Sequence, residues 1–226
     1  MAQNGLHAIT GMLVRKWMPQ RDWLPLGLVL GNMAPDLDNL TVAYATLTGA
    51  DSHGLHRTFT HSIFTVSAVI LLFYLLAVLT KNGKWNNFGI GFGSGILTHS
   101  LLDLLIWFNG VEVLWPIRYE LNFWSDFTPP GWLRLLLDSG EFLGFGLYFL
   151  LLSSLAQKNN TDQGHRSSAR MWMYTQFALF LVFTVLFLTL GAEGILYIVF
   201  GALYLLSLIA AMTMTIRMRR TVETVS

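Results

Sequence analysis

Cysteine is absent from this chain. That removes disulfides, thiolate nucleophiles and every cysteine-ligated zinc or iron–sulfur site. Charge is scarce as well: 12% of residues are charged, against about 25% in an ordinary soluble domain. Neither sign dominates, and a net charge of +1 gives no reason to expect nucleic acid as a partner. The first ten residues, MAQNGLHAIT, have neither the basic nor the apolar stretch of a cleavable signal peptide. What is abundant is apolar surface: 54% of the 226 residues are hydrophobic. This balance excludes a water-soluble globule and a disordered chain, and points to an integral membrane protein.

A helix needs about 20 apolar residues to cross a bilayer. Segments 63–80, 171–192 and 194–216 contain no charge and read as spans. Segment 142–157 is shorter and is expected to begin upstream, at Asp138 or Glu141. Segment 86–108 is apolar except for Asp103, with His99 one turn before it. The runs 6–14, 23–35 and 40–50 are shorter and interrupted by Pro and Gly, so they read as half-depth, re-entrant or interfacial helices. The expected fold is therefore all-α and polytopic, with about five spanning helices plus the shorter N-terminal ones. No internal repeat divides it: residues 1–226 read as one membrane domain, with the motifs in 1–145 and the C-terminal spans in 146–226.

Lys and Arg gather on the cytoplasmic side of bacterial-type membrane proteins. Placing the Lys81/Lys84 loop there also places Lys158–Arg170, Arg217–Arg220, Arg15, Lys16 and Arg21 there. Of 14 basic residues only Arg57, Arg118 and Arg134 then remain outside. The expected location is the bacterial-type inner membrane, with a cytoplasmic C-terminus. Segment 107–132 carries Trp107, Trp115, Phe123, Trp124, Phe127 and Trp132, and reads as lying flat on the outer interface. It is either an anchoring aromatic belt or a roof over a site.

Four clusters carry chemistry: His7; Asp36 and Asp38 in Pro-Asp-Leu-Asp; His56 and His61 around Arg57; and His99 with Asp103. His-x-x-x-Asp on a helix stacks imidazole and carboxylate on one face. Such nitrogen and oxygen donors suit zinc, manganese or iron(II). A central Asp in a spanning helix costs ~2.5–3.5 kcal/mol on insertion scales, which marks it as a functional candidate. Each piece has a plainer reading: a structural hydrogen bond for His99 and Asp103, N-caps for Asp36 or Asp38, and Thr58 or Thr60 capping the helix that follows His61. In the expected topology, however, His7, Asp36, Asp38, His56, His61, His99 and Asp103 share one depth near the extracytoplasmic face. Three carboxylates in a low-dielectric layer repel one another unless cations compensate. One to three divalent ions, zinc first and manganese or iron as alternatives, resolve this.

This ordered set resembles the YdjM-like family of membrane-bound proteins regarded as metal-dependent hydrolases. The likeness rests on His7, on Gly31-Asn32-Met33-Ala34-Pro35-Asp36-Leu37-Asp38, on His56-Arg57-Thr58-Phe59-Thr60-His61-Ser62, on His99-Ser100-Leu101-Leu102-Asp103 and on Leu114-Trp115-Pro116. Asn39 stands where family members often carry histidine. The order of ligands is more distantly similar to zinc-dependent phospholipases C. The resemblance implies a hydrolase acting through metal-activated water. Taken with the membrane setting, the expected substrate is a phosphate ester of a lipid or lipid-linked molecule. Arg57 is then a clamp for a substrate oxyanion, or alternatively a snorkelling headgroup contact; Asp38 is a ligand or a catalytic carboxylate. Two other readings stay open: an ion or proton transporter using His99 and Asp103, with Gly89, Gly91, Gly93 and Gly95 hinting at a polar path, or a scaffold with a structural metal.

Overall fold

A computed structural model describes residues 3–225. Nine helices are named here in chain order among the described residues: α1 Asn4–Val14, α2 Leu24–Gly31, α3 Asn39–Thr48, α4 Ile63–Thr80, α5 Lys84–Ile106, α6 Gly131–Asn159, α7 Gln163–Leu190, α8 Gly194–Arg217 and α9 Arg219–Glu223. No strand forms among these residues; a single antiparallel bridge joins Val111 to Leu121. Five helices, α4 to α8, are long and apolar enough to cross a membrane. The chain is an all-α, multi-pass membrane protein.

The span boundaries differ from the hydropathy reading in two places. α6 begins at Gly131, well before Glu141, because Pro130 holds the extended backbone that leads directly into the helix. α7 begins at Gln163 rather than near 171, since the polar stretch through Arg170 continues the helix beyond its apolar part. The three N-terminal helices are 11, 8 and 10 residues long, too short to span.

Tight turns make α4/α5 and α6/α7 antiparallel hairpins. Lys81 (φ 52°) ends α4, and Asn160 (φ 51°) with Asp162 (φ 48°) turns α6 into α7. The basic turns meet at one end of the bundle. Lys84 Nζ pairs with Asp22 at 2.9 Å, Trp23 N–H donates to Glu223, and the buried Arg15 donates to the carbonyls of Thr221 and Val222. Asp162 accepts from the N–H and hydroxyl of Thr221.

α2 is buried at every residue, and glycine explains how closely it sits. A Cβ at Gly27 or Gly31 would lie 2.3 or 2.1 Å from the carbonyl oxygens of Phe88 and Phe92 in α5. Reciprocally, Cβ atoms at Gly91 and Gly95 would lie 2.2 and 2.4 Å from the carbonyls of Leu24 and Leu28. Two small-xxx-small faces thus bring the backbones together, the mode of close packing expected between membrane helices. Gly89 and Gly93 seat Phe73 and Ile70 of α4 on the other side of α5. The four α5 glycines are filled by neighbouring helices and line no polar path.

The core lies between α1, α2, α6 and α8, where Met12, Val29, Met33, Phe145, Tyr148, Phe149, Tyr204 and Leu208 are buried together. A second cluster of Phe142, Phe183, Phe187 and Phe200 fastens α7 to it. α4 is peripheral and turns most of its apolar surface outward. These contacts leave the starts of α1, α4, α6 and α8 and the end of α5 together, at the end opposite the basic turns.

Candidate metal centre

All seven candidate ligands and Arg57 converge at that opposite end. α1 supplies His7, the 3₁₀ turn 35–38 between α2 and α3 supplies Asp36 and Asp38, and loop 49–62 supplies His56, Arg57 and His61. α5 supplies His99 and Asp103, which lie within two turns of its end. His7, Asp36, His61, His99 and Asp103 are at most 2% exposed, whereas the His56 side chain is 23% exposed.

The local structure departs from the capping expectations. Ser62, not Thr58 or Thr60, caps α4: its hydroxyl accepts from Phe64 N–H at 3.2 Å. His61 consequently sits in the 3₁₀ turn Phe59–His61 just before the helix, not in its first turn. Asp38 occupies the N-cap position of α3 but its side chain makes no cap hydrogen bond, and both carboxylates turn inward. Asp36 Oδ2 accepts from Asn4 Nδ2 at 3.0 Å.

Hydrogen bonds fix the imidazole tautomers. His99 Nδ1–H donates to the Asn32 carbonyl at 2.7 Å, so its Nε2 keeps a lone pair. Thr60 spends its only hydrogen on Asp38 Oδ2 at 2.6 Å and therefore accepts from His61 Nδ1–H at 2.9 Å. His61 Nε2 is left with a lone pair too. These two nitrogens lie 3.1 Å apart. Asp103 Oδ2 is 3.5 Å from His61 Nε2 and 3.8 Å from His99 Nε2, and Asp36 Oδ1 is 3.8 Å from His99 Nε2. His61 Nε2, His99 Nε2 and Asp103 Oδ2 thus face one another and Asp36 Oδ1 faces His99; neither carboxylate oxygen has a hydrogen-bond partner, with Arg57 Nε 3.2 Å from Asp103 Oδ2. Tetrahedral ligands at ~2.0–2.1 Å from zinc are separated by roughly 3.4 Å, close to these spacings.

His56 forms an outer position. Its Nδ1–H donates to Asp38 Oδ1 at 2.7 Å, leaving a buried, unpartnered Nε2 at 3.9 Å from Asp36 Oδ1. Asp36 thereby faces both positions. Asp38 also accepts from Thr60 and from the Arg57 backbone N–H at 3.3 Å. His7 stacks on His99 at 3.8 Å between ring centroids and donates from Nε2 to Asp103 Oδ1 at 3.1 Å. Three groupings could hold an ion: His7, His99 and Asp103; Asp36, His61 and His99; Asp36, Asp38 and His56.

The electrostatics match the geometry. Burial, then the neighbouring Asp103, Asp38 and Glu141 carboxylates, raise the Asp36 carboxyl well above the ordinary range. Burial pushes Asp38 upward, but the His56 hydrogen bond and the nearby imidazoles outweigh it and hold it below that range. Burial lowers the His56 imidazole, with Asp38 only partly countering. With neutral imidazoles, ionising all three carboxylates against the single Arg57 guanidinium would leave a net charge of −2 in a buried cluster, which favours a proton on Asp36 unless a cation takes its place.

Arg57 is no snorkelling charge. It is 5% exposed, its Nε lies 3.2 Å from Asp103 Oδ2, and its guanidinium rests over Trp107 at 5.6 Å. Its backbone has φ 63°, a conformation most side chains avoid, held by the Asp38 contact and by Glu112 N–H donating to its carbonyl at 2.9 Å. The aromatic segment divides in two. Residues 109–115 clamp the 57–63 segment: the Asn109, Val113 and Trp115 carbonyls accept from the Arg57 guanidinium, Ile63 N–H and the Ser62 hydroxyl, and Glu112 N–H donates to the Arg57 carbonyl. Phe123, Trp124 and Phe127 remain exposed beyond it.

Residue-type reasoning passed over three groups. Asn4, one turn before His7, ties Asp36 to the Met33 carbonyl, to Tyr204 and, through its N–H, to Glu141. Its spacing from His7 was the available signal. Tyr204 comes from a span with no motif, and Thr60 offered none beyond adjacency to His61. A cleft of about 400 Å³ opens between α3 and α8 and reaches His56 and Arg57.

Fold and site together define a polytopic helical membrane protein with a buried His/Asp cluster near one face. The model of the YdjM inner membrane protein family matches residues 3–215, and the chain belongs to that family. No curated protein and no solved structure matches it, so the likeness to phospholipases C rests on the order of motif residues alone.

Proposed function

We propose that the protein is a metal-dependent hydrolase of a phosphate ester carried by a membrane lipid or lipid-linked molecule. The observation that carries this reading is the pair of imidazole lone pairs, His61 Nε2 and His99 Nε2, 3.1 Å apart, with Asp103 Oδ2 facing both and Asp36 Oδ1 facing His99. Such a set is repulsive by itself and fits a divalent cation, with zinc suited to its two nitrogens and two oxygens. A bound ion there supplies acidification of water and polarisation of the ester.

The chain's own residues do the rest. Asn32 and Thr60 hold the tautomers of His99 and His61, and His7 orients Asp103, the supporting roles that imidazole and carboxylate ligands require. Asp38 positions His56, its oxygens occupied and made weakly basic by three donors. His56 and Asp36 form the second position, where the cleft arrives. Arg57, pinned between Trp107 and Asp103, binds the phosphate oxygens with its planar fork. The ester cleaves as water oxygen bonds to phosphorus, the bond to the leaving alcohol breaks and that alcohol takes up the proton the water gives up. Reading the basic end as cytoplasmic puts the C-terminus inside and the site near the extracytoplasmic face.

The filled α5 glycines speak against a transport path, and a cleft reaching the cluster speaks against a closed structural site. The test is elemental analysis of detergent-purified protein beside turnover on mixed lipid vesicles, with headgroups and diacylglycerol measured by mass spectrometry. Wild type is expected to hold one to three ions and release products that chelator and Asp103→Ala abolish. Equal products from both proteins would refute the hydrolase assignment; metal-free folded protein would refute the centre itself.

A further inference from the structure

We infer that the cleft between α3 and α8 seats a single hydrocarbon chain of the substrate, admitted sideways from the lipid phase, with its phosphate at Arg57. This rests on the hydrolase reading for the identity of the substrate, and on the cleft itself for the route.

The cleft's charged groups are confined to one end. His56 and Arg57 stand there with Ser52 and Asn109, while Val42, Ala43 and Leu47 of α3 and Ile198, Ala202 and Leu205 of α8 supply apolar wall, interrupted by Asn39, Thr46 and the hydroxyls of Tyr197 and Tyr204. Its volume of about 400 Å³ falls in the ~300–1,000 Å³ range of small-molecule sites, and its apolar lining with few polar groups is their usual composition. α3 has 10 residues and cannot cover the length of a 24-residue spanning helix. Tyr44 and Leu47 of α3 and Ile195 of α8 are exposed, apolar surface of the kind that a lateral mouth would present to lipid.

Glycine again decides, in the opposite sense from α2 and α5. A Cβ at Gly27, Gly31, Gly91 or Gly95 would strike a neighbouring helix backbone, whereas one at Gly201 would meet nothing within 4 Å. Gly201 lines the cleft, so the missing side chain there widens a channel and admits no helix. The largely apolar wall area favours a hydrocarbon chain over a soluble ester on this route. An acyl or isoprenoid chain lying along Tyr197, Gly201 and Leu205, one helical face at i, i+4 and i+8, brings its headgroup to His56 and Arg57.

The experiment uses full-length protein in vesicles of phosphatidylglycerol carrying a photoactivatable diazirine in one acyl chain, with cross-links mapped by peptide mass spectrometry. Labelling is expected to concentrate in 39–47 and 197–205, above the more lipid-exposed Leu71, Leu75 and Leu79 of α4. Gly201→Phe is expected to cut cleft labelling roughly tenfold, the effect of about two methylenes left unburied, with α4 labelling and metal content unchanged. Gly201→Ala is expected to label as wild type. Labelling that follows exposure alone, or that Gly201→Phe leaves unchanged, overturns the proposal, as does a stable dimer that covers α3 and α8. Concentrated labelling without any lipid turnover keeps the cleft and removes the hydrolase reading, so the two failures are distinguishable.

Discussion

Thr60→Val separates a metal centre from a buried hydrogen-bond network. The Thr60 hydroxyl donates to Asp38 Oδ2 at 2.6 Å and accepts from His61 Nδ1 at 2.9 Å, which is what leaves the His61 Nε2 lone pair facing His99. Valine keeps the shape and removes both bonds. His61 then loses its tautomer preference, and Asp38 loses one of the donors that hold it on His56. Orienting partners of this kind are worth ~10–100-fold in metal affinity, or about 1.4–2.7 kcal/mol. The fold is expected to survive, because Thr60 is only partly buried and touches no core cluster. Zinc titration of purified protein against a chelator of known affinity reads the effect directly. Thr60→Ser, which can make both bonds, is expected to bind within a few-fold of wild type. If valine binds zinc as tightly as threonine, or serine as weakly as valine, the argument from tautomers is refuted.

Metal occupancy is expected to fall on acidification, because an imidazole must be neutral to ligate. Burial places the folded His56 pKa below the ordinary ~6.5, so its neutral form, and the stability that accompanies it, is fully present above that value. Both are lost as pH falls through the lower folded value; elemental analysis after equilibration from pH 8 to 5 shows this, and occupancy rising on acidification would contradict it. Gly95→Val would bring a Cβ to 2.4 Å from the Leu28 carbonyl and 2.7 Å from Asn32 N, beside the carbonyl that orients His99. It is expected to destabilise by about 3 kcal/mol or more and to release metal, whereas Gly201→Val should stay within ~0.5 kcal/mol in thermal unfolding. Cysteine is absent, so single replacements report sidedness. Ser167→Cys is expected to react with an impermeant thiol reagent only after the cytoplasmic face is opened, and Ser125→Cys in intact cells. The reverse pattern would invert the proposed orientation.

Much of the architecture was legible because a bilayer imposes a length and an apolar composition on each span. α4 and α8 follow from uncharged runs, and the glycine pairs of α5 were visible as a pattern. Their meaning was not: only the backbone contacts with α2 distinguish a packing face from a path. The His-x-x-x-Asp pair was legible for the same periodic reason. The beginnings of α6 and α7 were not, since polar residues extend a helix past its apolar part without altering hydropathy in its favour.

The sequence by itself determined that this is a helical membrane protein and which side chains are costly enough at membrane depth to need a partner. Helical periodicity and the expense of buried charge act locally, so a one-dimensional string carries them. Tertiary structure alone decided what those side chains are to one another. Asn4 meets Asp36 and Tyr204 across 32 and 200 positions, Asn32 lends a backbone carbonyl to His99, and Thr60 turns from a helix cap into a link between Asp38 and His61. Those pairings set which nitrogens keep lone pairs, and they depend on helices approaching at glycine contacts. No residue type announces this.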